Sequence, residues 1–119
     1  MPLELDVRLA AIQARADKAS AAFATKLGPT REWLAASADS EVGSPSWTET
    51  QLRLADLTTH HSEARLALAE LDVIAARARL SLTPADEWAD VSEMQADLAR
   101  SLDEQSALLD DLNVEAARK

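Results

Sequence analysis

The chain has 119 residues, with no Cys, two Gly, four Pro and 21 acids against 12 bases, for a net charge of -9. One domain is expected at this length, and a hydrophobic fraction of 47 % excludes wholesale disorder. The lack of Cys excludes disulfides, thiolate metal sites and thiol nucleophiles, while one Phe and no Tyr leave a β-sandwich or barrel short of its usual side chains.

Ala-rich composition therefore points to an all-α chain. At the N-terminus, Asp6, Arg8 and Arg15 interrupt any apolar signal core, and no apolar run approaches the roughly 20 residues that span a bilayer. A cytoplasmic protein with no membrane contact is the expectation.

The first predicted helix covers residues 3–26, closed by Gly28-Pro29, because Gly suits a helix end and Pro does not continue one. A short helix over 30–38 follows, then a polar loop over 39–46. Ser46-Trp47-Thr48-Glu49 has capping-box spacing and predicts the start of a long helix over 47–82. Thr83 as N-cap and Pro84 at the first helical position predict a second long helix over 84–117. Leu27 to Trp33 and Leu82 to Trp88 share the pattern L-x-P-x-x-E-W, which fits two helix starts with an aromatic one turn inside.

Apolar residues recur at alternating three- and four-residue steps in each helix. The first carries Leu5, Leu9, Ile12, Ala16, Ala19 and Phe23. The middle helix carries Leu54, Leu57, His61, Ala64, Leu68, Leu71, Ala75, Ala78 and Leu82. The last carries Trp88, Val91, Leu98, Leu102, Leu109, Leu112 and Ala116, with Gln95 and Gln105 in register. Such periodicity marks coiled-coil packing. The long helices would each extend about 50 Å, beyond the roughly 35 Å of a compact globule of this mass, so a rod is expected. The fold class is thus an elongated all-α bundle, built on a long antiparallel helical hairpin with the N-terminal helix packed along part of it.

Three features bear on function. Leu52, Thr59, Leu66, Val73 and Leu80 repeat every seven residues on the side of the middle helix opposite its seam. In a three-helix bundle both neighbours share one broad face, so an opposed stripe implies a flat helix arrangement, a second copy or another protein. The second feature is charge. Residues 83–119 hold ten acids and three bases, and Asp86, Asp90, Glu93, Asp97, Glu104, Asp111 and Glu115 fall within an arc of about 60° on the helical wheel. Arg8, Arg15 and Lys26 flank the first helix and could face part of this ridge; the rest suits a basic partner or imitates a row of nucleic-acid phosphates. The third is His60-His61. No Glu precedes either by three residues as dinuclear carboxylate bundles require, so His61 is expected to bond Gln95 or Gln105 across the seam.

No Gly-rich phosphate loop, H-E-x-x-H or G-x-S-x-G occurs, and the paired carboxylates lie on a water-facing stripe. No enzyme activity, cofactor or metal is expected, and the missing basic face argues against direct nucleic-acid binding.

In layout, a helical hairpin with a Trp near its turn is similar to the small secreted WXG-type hairpins. Here Trp47 is followed by Thr48-Glu49 instead of x-Gly, and no Tyr is available for their C-terminal signal. A short helix before a long hairpin is similar in outline to the ring-forming small packaging subunits of tailed phages, without a shared motif or a basic surface. Nine Arg against three Lys fits a high-GC bacterial or phage genome. The sequence therefore reads as a non-enzymatic protein–protein interaction or assembly subunit, using Leu52, Leu66, Val73 and Leu80 to self-associate or dock a partner. The alternative is an acidic inhibitor that presents its C-terminal ridge to a basic protein.

Overall fold

The computed structural model describes residues 3–37, 41–80 and 85–118, except for the side chains of residues 3, 4 and 85–88. It contains helices α1 (Leu3–Ala36), α2 (Pro45–Leu80) and α3 (Ala85–Ala117), with no strand among the described residues. The molecule is a rod of 57 × 20 × 20 Å.

Cross-helix pairs define an up-down-up bundle. Arg15 pairs with Glu70, Lys26 with Asp56 and Trp33 with Thr50, so α1 and α2 run antiparallel. Asp72 with Gln95 and His61 with Gln105 give the same relation between α2 and α3. α2 and α3 therefore form the antiparallel pair that the hairpin expectation requires. The equal transverse dimensions of 20 Å exclude three helices laid flat.

Most of the expected seam residues are buried in the core, joined by Leu34, Ala67 and Ile74, while Leu5, Leu68, Ala78 and Ala116 are half-buried at its edge. Leu9, Ile12, Ala16 and Ala19 pack with Ala64, Leu71, Val91, Leu98 and Leu102 in one cluster. Phe23, Leu34, Leu54, Leu57, Leu109 and Leu112 form the other. The first cluster is rich in Ala, which lets the helix backbones approach closely; the second is filled by larger side chains.

Three sequence expectations are corrected. First, α1 does not end at Gly28-Pro29: it runs on to Ala36 with Pro29 inside it, absorbing the separate helix expected over 30–38. Pro29 removes a backbone donor at a cost of roughly 3 kcal/mol. Against this, Thr30 and Leu34 are buried beyond it and Trp33 is half-buried, continuing the alternating spacing from Phe23 through Leu27. Thr30 Oγ1 also donates to the Lys26 carbonyl at 2.7 Å in the turn that contains the proline.

Second, α1 with 34 residues is nearly as long as α2 with 36, so it covers the hairpin along its length. Third, the cap of α2 is Ser44, not Ser46. Ser44 Oγ accepts from the Trp47 amide at 3.1 Å and Pro45 opens the helix, while Glu49 pairs with Arg53 instead of reaching back. Proline suits the first helical position, where its missing N–H would have no intrahelical partner. Gly43, with φ of 89°, makes the preceding turn. The expected Thr83-Pro84 cap and Leu82 lie outside the described residues, as does the side chain of Trp88.

Candidate functional site

One polar layer separates the two core clusters. His61 Nδ1 bonds Gln105 Oε1 at 2.9 Å, and Gln105 Nε2 donates to Ser20 Oγ at 3.1 Å. The amide oxygen only accepts, so His61 carries its proton on Nδ1. The ring also lies 6.4 Å, centroid to centroid, from Phe23. One residue from each helix thus meets at a single level. Gln95, the other expected partner, instead donates to Asp72 at 2.7 Å on the surface.

His60 sits at the α1–α2 edge. Its Nε2 lies 3.1 Å from Lys26 Nζ, a donor, and 3.5 Å from Asp56 Oδ1. Its Nδ1 makes no hydrogen bond and lies 3.8 Å from Glu63 Oε2. Among the described residues no three His, Asp or Glu side chains are grouped to hold a metal ion.

Arg15 and Lys26 of α1 turn to α2. A hydrogen bond from Lys26 holds Asp56 below its ordinary carboxylate value against the opposing effect of desolvation. Arg15 does the same to Glu70 through its hydrogen bond, with a smaller contribution from the charge of Arg8. The expectation that Arg8, Arg15 and Lys26 face the acidic ridge is therefore corrected. The α1 side chains bordering Asp97 are Gln13 and Asp17, across a groove also lined by Met94 and Ser101. Asp90, Glu93, Asp97, Glu104 and Asp111 are exposed, Glu115 is half-buried, and the Asp86 side chain lies outside the described set. Arg100 pairs with Asp97 at 2.9 Å from within α3 itself.

The apolar stripe is on the surface. Leu52, Leu66, Val73 and Leu80 keep 61 %, 64 %, 51 % and 84 % of their area accessible, and Thr59 between them is exposed. α1 and α3 both occupy the opposite face of α2. Attention to large residues alone misses a second row. Ala55, Ser62, Ala69 and Ala76, all exposed, stand three residues after each of Leu52, Thr59, Leu66 and Val73. Their signal is the same seven-residue spacing. Large and small rows together make a complete second heptad seam on α2.

Grooves run on both sides of this seam. One is bordered by Pro29, Lys26, Leu52 and Ala55 at the α1 edge, the other by Arg65, Ala69, Asp72 and Asp103 at the α3 edge. Trp33, whose spacing gave no hint of a polar role, donates from Nε1 to Thr50 Oγ1 at 2.9 Å and carries the Arg53 guanidinium 5.1 Å over its ring.

Fold and surfaces together define an elongated three-helix bundle whose central helix is apolar on two opposed faces. No protein-family model matches the chain, and no curated protein or solved structure matches it. None of the helices among the described residues is long and apolar enough to cross a membrane.

Proposed function

We propose that the chain is a non-enzymatic, cytoplasmic assembly or adaptor subunit, which self-associates or docks a protein partner through Leu52, Leu66, Val73 and Leu80. The observation that carries this reading is the exposure of four large apolar side chains in one row, on a helix whose other face already holds both neighbours. Burying such a side chain is worth about 1.5–3 kcal/mol, and large apolar side chains aligned on one exposed face favour an interaction surface.

Analytical ultracentrifugation and partner capture test it with Leu66→Glu/Val73→Glu. The expected result is loss of self-association or of a captured partner with the helical circular dichroism intact. A strict monomer at tens of micromolar, with partner capture and solubility unchanged in the variant, would make the stripe ordinary surface.

A second reading is favoured by the direction of the α1 bases, which leaves the acids of α3 facing water: an acidic inhibitor of a basic protein. Its binding would weaken steeply as salt shortens the screening length from about 10 Å at 0.1 M to about 3 Å at 1 M. Glu93→Lys/Asp97→Lys/Glu104→Lys would slow association far more than it alters dissociation, because exposed charges act mainly by steering. Equal affinity at low and high salt would remove this reading.

A further inference from the structure

We infer that the occupant of the stripe is a second copy of this chain, with the two α2 helices paired antiparallel about a two-fold axis near residue 67. This deepens the assembly reading and rests on it.

The first argument is volume. Along the seam, large and small side chains alternate from Leu52 to Leu80, all of them exposed. An antiparallel pair can seat Leu66 on Ala69, Val73 on Ser62, Thr59 on Ala76 and Leu80 on Ala55 of the second copy. Each layer then sets one larger side chain against Ala or Ser, so no layer stacks two large or two small residues. A parallel pair in register stacks Leu on Leu and Ala on Ala, which leaves a gap at every second layer and forfeits packing. The pattern is also self-complementary, as a two-fold interface requires.

Charge selects the register among antiparallel alignments. In the one above, Arg65 of each copy meets Asp72 of the other, and Asp56 meets Arg77. Glu63 and Glu70 are the like-charged neighbours; Glu70 is already held by Arg15, as Asp56 is by Lys26, so the two Arg65–Asp72 pairs carry the choice of register. Sliding one chain by seven residues instead sets Arg65 against its own counterpart and Asp56 against Glu70. Arg65 and Asp72 both border the open groove at the α3 edge, where a crossing side chain can reach them.

Area sets the strength. In this register the seam pairs from Ala55 to Leu80, about 38 Å, and a helix is about 10 Å wide, so each copy contributes on the order of 400 Å². A standard stable interface takes about 800 Å² per partner. Pairing is therefore weak, with half-association expected at tens to hundreds of micromolar, and each copy's charge of -9 makes it stronger at higher salt.

Sedimentation equilibrium of the whole chain tests the pairing from about 10 µM to 1 mM in 0.3 M salt. A monomer–dimer equilibrium is expected, weakened about tenfold by Arg65→Glu and restored by Arg65→Glu/Asp72→Arg. Orientation is read by mixing Ser62→Cys and Val73→Cys chains, since the natural sequence has no Cys to interfere. Oxidation should link Ser62→Cys to Val73→Cys in a mixed dimer. Dimers linked only between like variants mean a parallel pair and overturn the proposal, as does a wild type that stays monomeric at 1 mM. If that monomer still loses a captured host protein on Leu66→Glu/Val73→Glu, docking of a different partner stands and self-pairing alone has failed. If nothing responds to that variant, both readings have failed.

Discussion

His61 Nδ1 donates to Gln105 Oε1 at 2.9 Å from one side of the bundle core to the other, and Gln105 passes a second bond to Ser20. The pair stands at the boundary between the Ala-rich cluster and the cluster around Phe23. A slide of α3 along α2 by one seam step would bury both groups without partners. Polar seam residues of this kind fix register at some loss of stability.

His61→Leu leaves Gln105 with an unsatisfied oxygen in the core, and the expected loss is about 1–3 kcal/mol. His61→Leu/Gln105→Leu should recover much of it, because both polar partners are then gone. Urea denaturation of the two single variants and the double closes the cycle. Single variants within about 0.5 kcal/mol of wild type would show that the layer is fully hydrated.

The two glycines should respond with opposite signs. Gly28 lies within α1 with no atom beyond its chain neighbours near a Cβ position, so Gly28→Ala is expected to stabilise, by less than the usual 0.5–1 kcal/mol because the new Cβ crowds Cδ of Pro29. Gly43 also has open space, but its φ of 89° strains any L side chain. Gly43→Ala should therefore cost about 1–2 kcal/mol. Thermal unfolding of both variants checks the pair, and equal signs would contradict the helix bounds.

Pro29→Ala restores a backbone donor inside a continuous helix. The gain of roughly 3 kcal/mol is reduced by about 0.4–1 kcal/mol, because the unfolded chain becomes freer. A net rise near 2 kcal/mol is expected in chemical denaturation. A fall in stability would mean that the helix ends at this point after all.

Acid should loosen the α1–α2 edge. Asp56 and Glu70 have folded values depressed by Lys26 and Arg15, so their pairs contribute stability at neutral pH. That contribution is lost as pH falls through the depressed values, below about pH 4, where the unfolded chain binds more protons than the folded one. Both pairs are exposed, and the effect is small. The urea midpoint of wild type should fall more between pH 5 and pH 3 than that of Asp56→Asn/Glu70→Gln. Parallel curves for the two proteins would exclude these pairs as a source of acid sensitivity.

Sequence by itself determined the class and the seams. The three- and four-residue spacing of Leu9, Ile12, Leu57, Leu71, Leu98 and Leu112 places them on one side of each helix, and each is buried. Burial follows from periodicity because it repeats over many turns and every turn gains. That His61 bonds a seam glutamine was legible for the same reason, while the choice of Gln105 over Gln95 was set by the relative height of α2 and α3.

Local signals misled where tertiary packing outweighed them. Gly28-Pro29 has the chemistry of a helix end, but Thr30 and Leu34 gain burial only if α1 continues, and that gain depends on helices far away in sequence. Likewise, the azimuth of α1 about α2 decided that Arg15 meets Glu70 and Lys26 meets Asp56 instead of the acids of α3. One helix's wheel cannot specify that choice, because it is set by how three helices share a single core. The stripe was visible as spacing. Only the bundle's equal transverse dimensions showed that none of the described helices covers it, since three helices in a triangle leave the outer side of each to water.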